Sequence, residues 1–373
     1  MYNMKMKFTL LIALTILFTY DTFTQTPLVA YKQGEEWTFI DTDGKQLFRA
    51  GGITDVGGYS EGLIGAQVVL DRKLTWVYFD KTGKIKIKTS AEQGVPFNEG
   101  KAVIFNPVNP KEEMYDFGII DSTGKIVKNI EYRDALSFSE GLAYVMKDGE
   151  RGYIDHSGKM VIKLDENIVG YAFSEGLAAV SNDRFKVGFI DKQGNQKIDF
   201  ILDIPSNFSN GLARVADTAT GKIGFINKYG VIAVQKIFDE AYNMNENRTM
   251  AGYYDGNYVM KWAMINQNGL KLTDFRFDHA KSFKNGAAVV MFDSRWGYID
   301  STGQFLFSKN FDYAESFGEN GLAWAVDGEQ VGFIDKTGAM VIPLPKADYY
   351  YDLRFNHELK TSTKVDDKNI PRD

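Results

Sequence analysis

Nine times along this chain a short apolar tetrad ends beside Asp or Asn, and Gly follows three residues later. The copies read WTFIDTDG, WVYFDKTG, FGIIDSTG, RGYIDHSG, VGFIDKQG, IGFINKYG, WAMINQNG, WGYIDSTG and VGFIDKTG. Their last glycines are Gly44, Gly83, Gly124, Gly158, Gly194, Gly230, Gly269, Gly303 and Gly338, at spacings of 34 to 41 residues. A unit of that size cannot bury both of its own faces. It must stack on a copy of itself, which restricts the chain to a ring or a solenoid of like units.

Within a tetrad the side chains alternate. Trp296 and Tyr298 point to one face of a strand, Gly297 and Ile299 to the other. Both faces are apolar, as expected of a strand buried between neighbours. The second tetrad position is Gly in six of the nine copies, which reads as a close backbone contact between successive units. The D-x-x-G step is a turn: Asp or Asn bonds forward to the backbone and Gly takes a positive φ. Upstream, Gly-Leu-Ala-x-Val is a strand that enters the tetrad through a second hairpin, as at Lys147-Asp-Gly149 and Val326-Asp-Gly328. Each unit is therefore expected to be a three-stranded antiparallel meander, joined to the next by an F-S-E-G connector with an aromatic plug.

W-G-Y-I-D with F-S-E-G-L-A, repeated over residues 28 to 343, resembles the WG-repeat family of bacterial proteins. The resemblance implies an all-β repeat protein, commonly exported, with no single assigned activity. The chain departs from the pattern in two ways. Trp holds the first tetrad position only at Trp37, Trp76, Trp262 and Trp296, and the connector is eroded to Met244-Asn-Glu-Asn-Arg248 before the seventh copy.

The expected fold class is all-β, a propeller-like array of about nine units, with an open β-solenoid as the alternative. Closure is favoured by the chain ends. The first unit lacks its connector, and Lys346-Ala-Asp-Tyr-Tyr-Tyr-Asp352 resembles the start of one, as Phe311-Asp-Tyr-Ala-Glu315 does. The array is placed at residues 26–356, with Tyr349-Tyr-Tyr351 as a closing or capping element, and residues 357–373 read as a polar, disordered tail.

The first 25 residues read as a signal peptide. Lys5 and Lys7 precede an apolar run from Phe8 to Tyr20, too short for the roughly 20 residues that span a bilayer. Cleavage is expected near residue 25, with export to the periplasm or medium and no membrane insertion of the mature chain. Cysteine is absent, so neither lipid attachment through a thiol nor a disulfide is available, and packing alone must hold the fold. The 43 basic and 49 acidic residues form no single-sign block, which argues against nucleic acid as a partner.

The Glu of F-S-E-G and the Asp of G-Y-I-D look like a paired-carboxylate hydrolase site only superficially. They recur in equivalent settings, whereas an active site is a single asymmetric constellation. Turn formation is the better reading, and one carboxylate per turn is too few for calcium. His156, His279 and His357 have no second ligand at zinc spacing, and no P-loop, dinucleotide or G-x-S-x-G fingerprint occurs. No catalytic residue, metal or cofactor is therefore expected. What remains is a binding or scaffolding module for a protein, peptide or glycan. The alternative is an exported, glycan-active enzyme with its site in a repeat break. The breaks are Phe105 to Phe117 and Glu240 to Trp262. In the second, Tyr253, Tyr254, Asp255, Tyr258 and Trp262 supply rigid amphipathic contact area and are the candidate binding residues.

Overall fold

A computed structural model describes residues 26–109 and 114–361. Residues 1–25, expected to be a signal peptide, and residues 362–373 lie outside the described residues. The strands form nine antiparallel sheets, arranged as the blades of a closed propeller. Among the described residues no helix is long and apolar enough to cross a membrane. Blades are numbered here by the order of their tetrads, so Trp37 lies in blade one and Val331 in blade nine.

The expected three-stranded unit is corrected to four strands. Among the described residues six of the nine sheets have four, and only blades seven and eight have three. Blade four shows the arrangement: Asp134–Ala135, Ala143–Lys147, Glu150–Ile154 and Met160–Leu164 lie side by side in that order. The first strand is two residues long and leaves no alternation to read. F-S-E-G is consequently not a connector between units but the hairpin joining strands one and two. In it Ser139 and Leu142 exchange backbone bonds of 2.9 and 3.2 Å, with Glu140 at φ +54° and Gly141 at φ +89°. Two successive positive φ values are those of a type I′ turn.

Glu accepts a left-handed backbone here because its carboxylate serves the next blade. Gly141 N–H donates to Glu99 Oε2 (2.8 Å), Gly176 N–H to Glu140 Oε2 (2.9 Å) and Gly211 N–H to Glu175 Oε2 (2.9 Å). Beside them, Ser139 Oγ donates to Phe173 O and Ser174 Oγ to Phe208 O, both at 2.7 Å. The repeated words of the sequence thus form a hydrogen-bonded belt running from blade to blade. The aromatic before each Ser fills the interface beneath: Phe138, Phe173 and Phe208 are each 1% exposed.

The strand glycine does not mediate blade contact as expected. A Cβ on Gly152 would lie 2.0 Å from Ile162 O, and one on Gly332 2.1 Å from Ile342 O, both on the outer strand of the same blade. The register shifts at these points, between Tyr153 and Ile154 and between Phe333 and Ile334. The glycine makes room for a β-bulge that bends the outer strand inward. Neighbouring blades meet instead at the D-x-x-G turn, where Gly194 packs on Ile162 and Gly230 on Ile198 of the preceding blade.

The same contact closes the ring, with Gly44 of blade one against Ile342 of blade nine. Strand Tyr349–Asp352 supplies the missing first strand, pairing Val29 with Asp352, Ala30 with Tyr351, Tyr31 with Tyr350 and Lys32 with Tyr349. Asp348 also repeats the part of Asp312. Gly34 N–H donates to Asp348 Oδ2 (2.8 Å) as Gly328 N–H does to Asp312 Oδ2 (2.6 Å). The polar tail expected from residue 357 begins later. His357–Glu358 pairs with Tyr351 and Asp352, and Leu359 is buried. Its single leucine has no periodic company to mark it as core.

Residues 353–356 locate the axis. Arg354 Nη1 donates to Asn320 Oδ1 and Leu322 O of blade nine, each at 2.9 Å, and Lys284 Nζ of blade eight lies 4.3 Å from the Phe355 ring centre. On the other side Tyr59 N–H of blade two donates to Leu353 O (2.7 Å). One short turn that touches blades eight, nine and two must lie inside the ring, so the first strands are innermost.

Candidate binding face

The hairpins between strands two and three emerge on the face opposite the belt. Most are two-residue turns whose positive φ positions fall to small or polar residues, such as Asp148 and Gly149 or Asp293 and Ser294. Blades five and seven differ. Asn182 Oδ1 accepts the N–H groups of Arg184 (3.1 Å) and Lys186 (3.0 Å), and Asp255 Oδ1 accepts those of Asn257 (2.8 Å) and Val259 (3.0 Å). These bonds tighten the turn and drive the residue two before the return strand to positive φ. That residue is Phe185 at +57° in one hairpin and Tyr258 at +60° in the other.

An aromatic side chain in a left-handed backbone costs on the order of 1 kcal/mol, and neither ring recovers this by packing. Phe185 is 85% exposed and Tyr258 87% exposed. Strain held at an exposed aromatic points to a role other than folding. Glycine at either position is expected to leave stability unchanged or raise it by up to about 1 kcal/mol. Thermal melts of Phe185→Gly and Tyr258→Gly check this, and a loss of stability in either would show that the ring is packed after all.

Between these tips a recess of about 350 Å³ opens at the junction of blades five and six, lined by Tyr171, Ala179, Phe185, Val187, Ile204 and Pro205. Asp203 frames it. Its carboxylate takes the Lys186 ammonium of blade five and the Thr218 N–H (3.2 Å) and hydroxyl (3.1 Å) of the blade-six hairpin. Lys186, then the Thr218 backbone, pull the Asp203 carboxyl down to about 2. A carboxyl whose folded value is depressed stabilises above its unfolded value and loses that contribution as pH falls through the folded one. The stability advantage of the native chain over Asp203→Asn is therefore expected to shrink between pH about 4 and pH about 2, as read from melting temperature against pH.

The structure brings four of the five candidate residues together. Tyr253, Tyr254, Asp255 and Tyr258 share the blade-seven hairpin, with Tyr253 and Tyr254 on opposite faces of their strand. Tyr253 rests 5.9 Å from the Phe275 ring with Lys222 Nζ 5.0 Å above it. Tyr254 N–H donates to Asp239 Oδ2 (3.0 Å), and Asp255 caps the turn. Trp262 stands apart in the blade wall, stacked on Tyr242 at 5.2 Å. Sequence reasoning misses Phe185, whose positive φ and exposure are set by the fold.

The repeated carboxylates are engaged in turns. Asp155 Oδ1 accepts Ser157 N–H (2.9 Å), Ser157 Oγ–H (2.5 Å) and Lys159 N–H (3.1 Å). The Ser157 hydroxyl leads in holding that carboxyl below its ordinary range. His156 Nε2 lies 3.1 Å from Glu99 Oε2 of the belt. Among the described residues no group of three His, Asp or Glu is placed to hold a metal ion.

No curated protein matches the chain. A crystal structure of a eukaryotic initiation factor is similar in fold at TM-score 0.62 and 13% identity, over 90% of this chain and 98% of that one. BamB from Moraxella catarrhalis is similar at TM-score 0.40 and 12% identity, over 74% of this chain and 89% of its own. Such identities speak to the fold alone. Residues 117–150, 152–184, 188–216, 223–257, 262–296 and 296–329 match the WG containing repeat. These segments make up more than half of the 373 residues, and the chain belongs to the WG-repeat family.

Proposed function

We propose that this propeller is an exported, non-catalytic recognition module that binds a protein, peptide or glycan on the hairpin face of blades five to seven. One observation carries the reading: two strained aromatics, Phe185 and Tyr258, project from hairpins on either side of blade six. Rigid amphipathic rings at exposed turn tips give contact area with little entropy to lose on binding. Tyr171, Ile204 and Pro205 extend the surface into a recess, and Tyr253 and Tyr254 continue it along blade seven. Export rests on Lys5, Lys7 and the apolar run Phe8 to Tyr20.

The test is a glycan-array and peptide-array screen of the chain from Thr26 onward, beside Phe185→Ala and Tyr258→Ala variants. A hit lost in both variants with melting temperature retained supports the reading. A hit that both variants keep moves the site off this face, and hydrolysis of an arrayed glycan turns the assignment to an enzyme. N-terminal sequencing of protein recovered from the periplasm or medium should start near residue 25, and recovery of intact Met1 from the cytoplasm would overturn export.

A further inference from the structure

The belt breaks in one sector. From blade two to blade seven the third turn position is Glu or Asn, and its side-chain oxygen accepts an N–H from the next turn, ending with Gly286 N–H on Glu246 (3.2 Å). Blade eight reads Phe283-Lys284-Asn285-Gly286, with Lys where blades two to seven carry Ser or Asn, and Asn285 donates its Nδ2 to Phe317 O of blade nine (2.7 Å) instead of accepting an N–H. Blade nine reads Phe317-Gly318-Glu319-Asn320-Gly321, one residue longer. Blade one has no such turn, because its first two strands come from opposite ends of the chain.

A recess of about 470 Å³ occupies this gap, lined by Tyr59, Lys284, Glu319, Asn320, Arg354 and Phe355, together with Gly318, Thr26 and Thr42. Its charged groups are Lys284, Arg354 and the carboxylate of Glu319, and Tyr59 and Asn320 add neutral donors. Lys284 is exposed, sits on the Phe355 ring face at 4.3 Å and has no ion-pair partner among the described residues. Asn320 Oδ1 is used by Arg354 Nη1 (2.9 Å) and Leu322 N–H (3.2 Å), which leaves its amide NH₂ as a donor. Arg354 is fixed by Asp352 through Nε (3.1 Å) and Nη2 (2.7 Å), so it shapes the floor and adds little net charge. Burial raises the Tyr59 phenol and keeps it a neutral donor. Lys284 and Arg354 both stand over the Phe355 ring, at 4.3 and 5.0 Å from its centre, and compete with any ligand ring for it.

We propose that this seam recess binds an acidic side chain presented by a peptide turn, whose carboxylate takes the place in the belt that blade one cannot fill. Lys284 Nζ is its counter-ion, and Asn320 Nδ2 and Tyr59 Oη are further donors. The belt shows the chemistry: the chain already seats its own Ser-Glu-Gly turns on one another by a carboxylate. The site lies on the belt face, away from Phe185 and Tyr258, and deepens the recognition reading by naming a peptide ligand.

The probe is the amidated peptide acetyl-Phe-Ser-Glu-Gly-Leu, titrated into the chain from Thr26 onward and followed by NMR line shifts. Saturable binding is expected in the millimolar range. Weakening of up to about fivefold is expected for Lys284→Met and for the peptide with Gln in place of Glu, the most that an exposed charge pair supplies. Phe185→Ala and Tyr258→Ala should bind the probe normally, so loss of the hairpin-face reading leaves this one standing. Equal binding of the Gln peptide, an unaffected Lys284→Met variant of native melting temperature, or binding of glucuronate but not of the peptide would each overturn the assignment.

Discussion

Deletion of residues 345–373 is expected to destabilise the whole array rather than one blade. The deletion removes the strand Tyr349–Asp352 and with it Tyr350, Leu353 and Leu359, each 2% exposed or less. At about 2–5 kcal/mol for each large buried side chain, the loss approaches the roughly 5–15 kcal/mol that holds a typical domain folded. It also unmasks Pro27–Gln33 as an unpaired edge, a template for aggregation. In an open solenoid the same deletion would trim a terminal cap and leave the distant units nearly as stable as before. In the ring every interface depends on closure. A thermal melt should show a fall of well over 10 °C or an insoluble product. A shift of a degree or two would mean the seam contributes little.

The second large effect is expected at Phe173→Ala. Phe173 lies in the strand Val169–Ser174 that opens blade five, yet its ring lies 4.9 Å from Tyr153 of blade four, among Tyr144, Val180 and Ile190. Truncation leaves a cavity between two blades at a cost of about 3–5 kcal/mol, while Phe173→Leu should cost about 1–1.5 kcal/mol. Urea unfolding of both variants checks the ratio. If F-S-E-G were a solvated linker, both changes would be nearly silent. Glu140→Ala in the same motif should cost less than Phe173→Ala, since Gly176 N–H and Lys192 can turn to water.

What the sequence reveals follows from what repetition can encode. Nine copies of an alternating tetrad specify buried strands, and D-x-x-G specifies a turn wherever Asp and Gly keep their spacing. The closing strand is legible because Asp348-Tyr-Tyr repeats Asp312-Tyr-Ala. The first strand of most other blades is not, because two residues such as Asp134–Ala135 carry no period. The strand glycine does mark a close approach, but to the outer strand of its own blade rather than to the next unit. The β-bulge that this glycine accommodates leaves no mark in the outer strand, which carries the extra residue. At the binding face, Tyr258 stands out by crowding, while Phe185 looks like ordinary apolar composition. Its importance lies in a positive φ and an empty surrounding, and both are properties of the fold.

The most direct test of the closed ring uses the natural absence of cysteine. Lys32 and Tyr349 face each other across the seam, and directly opposed residues of an antiparallel pair lie within disulfide reach. The double variant Lys32→Cys, Tyr349→Cys, oxidised in the folded state, should form an intramolecular disulfide, detected by non-reducing electrophoresis and by loss of free thiol. Closing a loop of roughly 300 residues should also raise stability by about 4 kcal/mol or more. Free thiols after oxidation of a folded, monomeric variant would contradict closure and return the array to an open solenoid.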